Sequence, residues 1–345
     1  MKKPANLKLN DKISTIAPSF GVTTEPYKTR YLASVKRMKK EGYLIEEGEN
    51  VFKAEGVASS ASPKERAQEF IKAYKSDSKV IISVGGGELM CDILPYIDFE
   101  EIKNLPPKWF MGFSDNTNLT FTLTTLCDIE TIYGPNFPGF FEKQFRVNQL
   151  DSLKMLHGEN HFEGYPKWKK TDFNKPVDPN KTISPLAKTA YRSIKKIIPY
   201  NYNSPFSGRI IGGCLDCLVN ICGTKFDKVE DFAEKYKEDG FIWYLEACDL
   251  SPLSFRRALF QLKESNWFKY VKGFLIGRPF HFGDTCMGVD FFSATLDMLS
   301  EFNVPILMDI DLGHNPPSLP MKNGALATVK LENNNIIIDY KNSDE

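Results

Sequence analysis

The most constraining feature of this chain is an alternation in its first third: a short apolar run, a small polar or glycine turn, then a helical pattern. Ile13-Ser14-Thr15-Ile16-Ala17 ends at Pro18-Ser19. Lys79-Val80-Ile81-Ile82-Ser83-Val84 runs straight into Gly85-Gly86-Gly87. Trp109-Phe110-Met111-Gly112-Phe113 runs into Ser114-Asp115-Asn116-Thr117. Between these runs, residues 26–41 repeat Tyr31, Leu32, Val35 and Met38 at helical spacing and stop at Gly42. Residues 62–76 open on Ser62-Pro63, a cap and a first-turn residue, and Asn116 to Leu126 predicts a further helix. Strands alternating with helices build βαβ units and a parallel sheet. Such sheets bind ligands beyond the carboxyl ends of their strands. Residues 17–20, 85–88 and 114–117 are therefore where function is expected.

The 345 residues predict two domains at roughly 150 residues each. Basic and acidic side chains balance at 44 each, which excludes the global basic bias of a nucleic-acid or membrane-surface binder. A hydrophobic share of 42% excludes a disordered chain. Lys2 and Lys3 precede no apolar signal region, and no apolar run approaches the ~20 residues of a membrane span, so a soluble, cytoplasmic protein is expected. Seven scattered cysteines argue against a disulfide framework.

Residues 164–207 differ in character. They hold six of the 21 prolines, and nine Lys/Arg against two Asp/Glu give a local excess of +7. Such a stretch is a solvated connector or a long functional loop. Beyond it, Cys214 to Cys222 reads as a helix, Phe241 to Glu246 as a strand ending in a carboxylate, and Ser251-Pro252 opens a helix to about Glu264. Val271 to Ile276 and Val304 to Asp309 are strands, and Ala325 to Tyr340 is a hairpin turning at Glu332-Asn333-Asn334-Asn335. The expected organisation is 1–165, a segment 166–207, and 208–345.

Several motifs bear on chemistry. Cys214, Cys217 and Cys222 lack a fourth zinc ligand and share an apolar helix stripe, which favours core packing. His157-Gly158-Glu159-Asn160-His161 misplaces the glutamate of a zinc-protease motif and reads as a surface turn. The glycine run fails the dinucleotide fingerprint at Met90 and lacks the Lys-Ser/Thr ending of a P-loop. Three successive glycines nevertheless suit close backbone approach, for a phosphate or an oxyanion, as well as a plain turn. Ser114 stands between a buried strand and a helix start, where its own N–H and that of Asp115 would face outward. It fits a nucleophile elbow or a simple helix cap. A serine nucleophile needs a base and an orienting partner. His281 and His314 follow strands, and Glu246 ends a very apolar one, where it must be paired in a salt bridge or perturbed.

Taken together these stretches resemble the L,D-carboxypeptidases, and within them the microcin C immunity peptidases. The matching residues are Ile16-Ala17-Pro18-Ser19, Ser83-Val84-Gly85-Gly86, Leu94-Pro95-Tyr96-Ile97-Asp98, Gly112-Phe113-Ser114-Asp115 and Tyr133-Gly134-Pro135. Gly208-Arg209-Ile210-Ile211-Gly212-Gly213, Leu245-Glu246, Gly313-His314 and Leu319-Pro320 continue the match through residues 13–330. The resemblance implies an α/β chain with a Rossmann- or flavodoxin-like parallel-sheet domain and a mostly β, β-barrel-like second domain, with the active site at their interface. It implies Ser114 as nucleophile, His314 as base, Glu246 as the orienting group, and an oxyanion hole from the N–H groups of Gly86, Gly87 and Asp115. It implies no metal, no cofactor, and a cytoplasmic homodimer.

The implied substrate is a small peptide conjugate of the peptidyl- or aminoacyl-nucleotide type, or else the murein tetrapeptide that yields D-alanine. The basic stretch with Trp168 resembles the loop that the immunity branch lays over its site, and suits a phosphate-bearing substrate. Trp168 and Arg278 are the substrate-loop candidates; the loop Gly277-Arg278-Pro279-Phe280-His281 lacks the glutamate that immunity enzymes can have there. A non-catalytic two-domain binding protein for a small ligand is the alternative of another class. A nicotinamide oxidoreductase is disfavoured by the failed fingerprint.

Overall fold

In the computed structural model, residues 1–172, 178–186 and 190–341 are described. The chain divides into two compact units, residues 1–159 with 172–189, and residues 160–171 with 190–345.

The first unit holds the alternating pattern. Its strands are β1 (Lys12–Ile16), β2 (Leu44–Glu47), β3 (Val80–Ser83), β4 (Trp109–Gly112) and β5 (Thr131–Tyr133). They pair parallel in the order β5-β4-β3-β1-β2, with Ile13 opposite both Ile45 and Val80. Every residue of β3 and β4 is buried, which explains why these strands read as continuous apolar runs. The helices are α1 (Tyr27–Lys40), α2 (Pro63–Lys75), α3 (Phe99–Asn104), α4 (Thr117–Cys127) and α5 (Val147–Leu156).

Two helices show how local sequence fixes an element. At α2, Ser62 Oγ accepts the Glu65 N–H while Glu65 returns a bond to the Ser62 N–H, and Pro63 occupies the first turn. Such a cap is worth about 1 kcal/mol. Helix α4 is threonine-rich yet almost wholly buried. Three of its hydroxyls bond within the helix: Thr122 donates to Asn118 O, Thr124 to Thr120 O and Thr125 to Phe121 O.

The second unit is one eight-stranded sheet. Its strands are β6 (His161–Glu163), β9 (Ile198–Tyr200), β10 (Phe206–Cys214), β11 (Phe241–Glu246), β12 (Val271–Gly277), β13 (Ile306–Ile310), β15 (Leu326–Glu332) and β16 (Asn335–Tyr340). The order is β6-β16-β15-β10-β11-β12-β13-β9; β10 to β13 are parallel and the flanking strands antiparallel. Strands β7 (Lys167–Trp168) and β8 (Ser193–Ile194) form a small separate ladder, and β14 is Met321–Asn323. Helices α6 (Leu215–Ile221), α7 (Val229–Lys235), α8 (Pro252–Glu264) and α9 (Phe291–Leu299) connect the parallel strands. The expectation of a parallel-sheet half followed by a β-rich half is met. The β15–β16 turn falls at Asn333 and Asn334, both at positive φ (49° and 61°), as a two-residue hairpin turn requires and as asparagine tolerates. Trp243, Trp267 and Phe268 pack together in the core, with the two indoles stacked at 5.8 Å.

Within the basic stretch, residues 173–177 and 187–189 lie outside the described residues. Its described parts are shared between the units. In the first, Pro179 O accepts the Glu25 N–H and Pro185 O accepts the Lys143 N–H. In the second, Lys195 is buried against Asp311 at 3.1 Å, so one of the nine cations never faces solvent.

Candidate active site

The three loops singled out by the strand pattern meet at the carboxyl edge of the first sheet. The Phe20 N–H donates to Gly86 O at 3.1 Å. Ser19 Oγ donates to Asp115 Oδ2 at 2.5 Å. Asn116 Nδ2 donates to Gly85 O at 2.9 Å and to Phe113 O at 3.0 Å.

Ser114 stands at the end of β4 with φ +64°, opening a 3₁₀ turn (Ser114–Asn116) that leads into α4. A left-handed backbone costs an L-residue roughly 1–2 kcal/mol. It persists because its surroundings over-determine it. The Ser114 N–H donates to Tyr133 Oη at 2.9 Å, and the Phe113 N–H to Asn136 Oδ1 at 3.2 Å. The expectation that Ser114's own N–H faces outward is therefore not met; the tyrosine on β5 takes it. A methyl group on Gly86 would lie 3.2 Å from Ser114 Cβ and 3.4 Å from its Oγ, so the missing side chain lets the loop backbone approach the serine closely. The N–H groups of Gly86 and Gly87 meet no acceptor among the described residues. Asp115 is buried, and its carboxylate faces Ser19, Met90 and Asn118.

In the second unit, Glu246 ends β11 with 0% exposure, and its Oε2 lies 2.9 Å from His314 Nδ1. Two glycines make the room. A Cβ on Gly313 would sit 2.7 Å from Glu246 Oε2, and one on Gly277 would sit 2.9 Å from Glu246 Cβ. Gly313 also takes φ +109°, which turns the chain so that the next residue, His314, faces the carboxylate. Burial is the largest influence on the imidazole and lowers its pKa. The charge and hydrogen bond of Glu246, helped by Asp216 and Asp249, outweigh it and leave His314 above its ordinary value. Because the carboxylate accepts from Nδ1–H, Nε2 is the nitrogen through which the ring exchanges a proton. Asp216 in turn receives the Cys248 and Asp249 N–H groups at 3.0 and 2.9 Å, bracing the turn just after Glu246.

The substrate-loop candidates are buried beside the His314 loop. Arg278 is fully buried; its Nε reaches Asp309 Oδ1 at 2.6 Å and NH2 reaches Asp311 Oδ1 at 3.1 Å. Its guanidinium lies 4.3 Å over the Trp168 ring, which is itself buried and packs on Phe282. Asp311 also accepts the Tyr165 N–H and Lys195, and Asn315 accepts the Thr171 N–H. These contacts tie the start of the basic stretch to the loop that holds His314. Removing one member of a buried ion pair costs about 3–5 kcal/mol. Arg278→Ala is accordingly expected to lose stability on that scale in urea denaturation, and a loss below about 1 kcal/mol would contradict this assignment.

His157 bonds Tyr43 at 2.7 Å and His161 bonds Asp339 at 2.6 Å. His281 bonds Asp284 at 3.2 Å within its own turn. Cys214, Cys217 and Cys222 are buried, as the apolar stripe predicts. Sequence reasoning passed over Arg66, Glu69 and Asn136, and gave Tyr133 no role beyond the matching stretch. The signal for two of them was present: Arg66 and Glu69 fall on the same helix face as Ala67, Phe70, Ala73 and Tyr74, the face α2 buries.

Comparison with known proteins shows the family and the fold. The LD-carboxypeptidase N-terminal domain matches residues 13–134, and the LD-carboxypeptidase C-terminal domain matches residues 207–329. The chain is 26% identical over 344 residues to the microcin C7 self-immunity protein MccF of Escherichia coli, covering 97% of this chain and 94% of that protein. It is 24% identical over 338 residues to a putative carboxypeptidase of Vibrio cholerae, covering 95% and 94%. Its fold matches a structure of MccF in complex with aspartyl sulfamoyl adenosine (TM-score 0.80, 23% identity, 98% of each chain). It also matches an MccF-like protein from Bacillus anthracis (TM-score 0.81, 23% identity, 99% and 100% of the chains). With both domains of one family matched in order, and a two-domain α/β fold in common, this chain belongs to the LD-carboxypeptidase family.

Proposed function

We propose that this protein is a serine peptidase or amidase in which Ser114 is the nucleophile, His314 the general base and Glu246 the group that orients the histidine. The observation that carries the reading is the Glu246–His314 pair: a fully buried carboxylate on Nδ1 of a histidine whose pKa it raises. The left-handed Ser114 at a strand–helix junction supports it, as do the Gly86 and Gly87 N–H groups beside that serine.

In this mechanism His314 Nε2 takes the Ser114 Oγ proton as Oγ attacks the amide carbonyl. Charge on the former carbonyl oxygen is held by the N–H groups of Gly86, Gly87 and Asp115, a kind of contact worth about 3–4 kcal/mol per donor. His314 then gives its proton to the leaving nitrogen, the C–N bond breaks, and water hydrolyses the acyl-serine by the same steps in reverse.

The substrate we infer is an amide joining an aminoacyl or peptidyl group to a nucleotide-like moiety. The likeness to a microcin immunity protein and the basic stretch favour it. The second reading is L,D-cleavage of a murein tetrapeptide, favoured by the family's description and by its carboxypeptidase relatives. One experiment tests both. Wild type and Ser114→Ala are incubated with a fluorophosphonate probe, with aspartyl sulfamoyl adenosine and with an L,D-tetrapeptide. Probe labelling confined to wild type, with Ser114-dependent cleavage of the sulfamoyl adenosine, is expected. Cleavage of the tetrapeptide alone selects the second reading, and no Ser114-dependent reaction sinks both.

A further inference from the structure

Two buried charges beside the serine have no part in the chemistry above. Arg66, on the inner face of α2, is 1% exposed. Its NH1 donates to Pro18 O at 2.9 Å and to Leu89 O at 3.1 Å. Asp115 is 2% exposed; its Oδ2 accepts from Ser19 Oγ at 2.5 Å and from the Met90 N–H at 2.9 Å. The cation therefore holds the carbonyls of residues 18 and 89, and the anion holds donors of residues 19 and 90. These are successive residues on the same two loops. Residues 89 and 90 close the far end of the glycine run. Residue 19 lies against the run itself, since a Cβ on Gly87 would fall 2.2 Å from Ser19 Oγ. Glu69, three residues along α2 from Arg66, accepts the Ala17 N–H at 2.9 Å and so anchors the root of the first loop.

Burial of such charges is expensive even when they are paired, at several kcal/mol per ion. Burial pushes the Asp115 carboxyl up, and its bonds from Ser19 and Met90 and the charge of Arg66 pull the other way. Turns are ordinarily stabilised by hydrogen bonds from a short side chain to its own neighbouring backbone, or by water. Opposite charges gripping two loops at paired positions give something those cannot, a fixed spacing between the loops.

We propose that Arg66 and Asp115 form a positioning clamp that sets the distance between the loop after β1 and the end of the glycine run. It thereby aims the Gly86 and Gly87 N–H groups at the oxygen that gains charge when Ser114 attacks. That last step rests on the serine-peptidase reading; the clamp itself rests on the geometry of the first unit. Arg66 touches no reacting atom, and the Asp115 carboxylate acts through the loops it holds.

The test uses the full chain and the variants Ser19→Ala and Arg66→Lys. Lysine keeps the charge, but its shorter side chain and compact ammonium do not reproduce the position from which NH1 reaches both carbonyls. Two readouts are taken: the inactivation constants kinact and KI for a fluorophosphonate probe, and hydrogen–deuterium exchange. The expected result is a kinact lowered about 10-fold in Ser19→Ala and about 10²-fold in Arg66→Lys, the scale of a small misplacement of catalytic groups, with KI within about twofold of wild type. Amide exchange in residues 17–20 and 85–90 rises together, while residues 117–127 keep their protection. A merely structural role would lower the labelled fraction or Tm and leave kinact of the folded protein unchanged. Unchanged exchange in residues 85–90 of Arg66→Lys overturns the clamp, and so does faster exchange with an unchanged kinact. Should Arg66→Lys fail to fold, Ser19→Ala removes one hydrogen bond and gives both readouts. If wild type is not labelled at Ser114, the peptidase reading falls, and exchange alone decides the clamp.

Discussion

Ser114→Ala is expected to lower turnover of the cleaved amide by about 10⁴- to 10⁶-fold, the range seen when a triad serine is removed elsewhere. The carbonyl carbon must be reached from the strand-end backbone that Tyr133 and Asn116 hold in position. Little loss of stability should accompany the loss of rate, because Ser114 is only partly buried and the left-handed φ is equally strained for alanine. Ser114→Gly sharpens the test. Glycine relieves that strain while adding backbone entropy to the unfolded chain, so its stability should stay within about 1 kcal/mol of wild type while activity disappears. Steady-state rates together with urea denaturation of both variants check this. A variant with a rate within about tenfold of wild type would remove Ser114 from the mechanism.

Glu246→Gln should cost about 10⁴-fold, as the matching change does in another serine-protease triad, and it should also move the pH profile. Glutamine fits the space that Gly277 and Gly313 leave, so the change removes the charge and turns one acceptor oxygen into an NH2 donor, with little change in volume. As a general base, His314 works in its neutral form. The acidic limb of kcat/KM in wild type should therefore lie above the ordinary histidine value of about 6.5, because Glu246 holds the protonated ring. In Glu246→Gln the charge vanishes while burial, which lowers the pKa, remains. The limb should then move to lower pH even as the rate collapses. His314→Ala should lose activity to a similar extent and leave no such limb. A limb that stays in place in Glu246→Gln would mean that another group sets it.

Much of this was legible in the chain because the relevant physics is local. Strands β1, β3 and β4 are buried on both faces and read as apolar runs; α1, α2 and α8 show one apolar stripe each. Strand β2, Leu-Ile-Glu-Glu, is too polar to show, and β5 has only three residues. Both exist because a neighbouring strand offers them a ladder. The basic stretch illustrates the opposite limit. Its charge excess suggested a solvent-facing loop, yet Lys195 is buried on Asp311 and Trp168 is buried under Arg278. Arg278 read as a loop residue able to meet a ligand. It lies inside the second unit because Asp309 and Asp311, some thirty positions later, receive its guanidinium.

The sequence alone determined the alternation of strands and helices, and hence the parallel sheet and the strand ends where chemistry belongs. It also marked Ser114, Glu246 and His314 as candidates, since residue type and position at a strand end are one-dimensional facts, while the roles proposed for them came from the family resemblance. Only the tertiary structure decided which charges are buried and with whom. It placed Glu246 against His314 across 68 positions, through room left by two glycines. It also set Arg66 and Asp115 on the same pair of loops. Burial and pairing depend on distances between residues far apart in the chain, and periodicity holds no information about those.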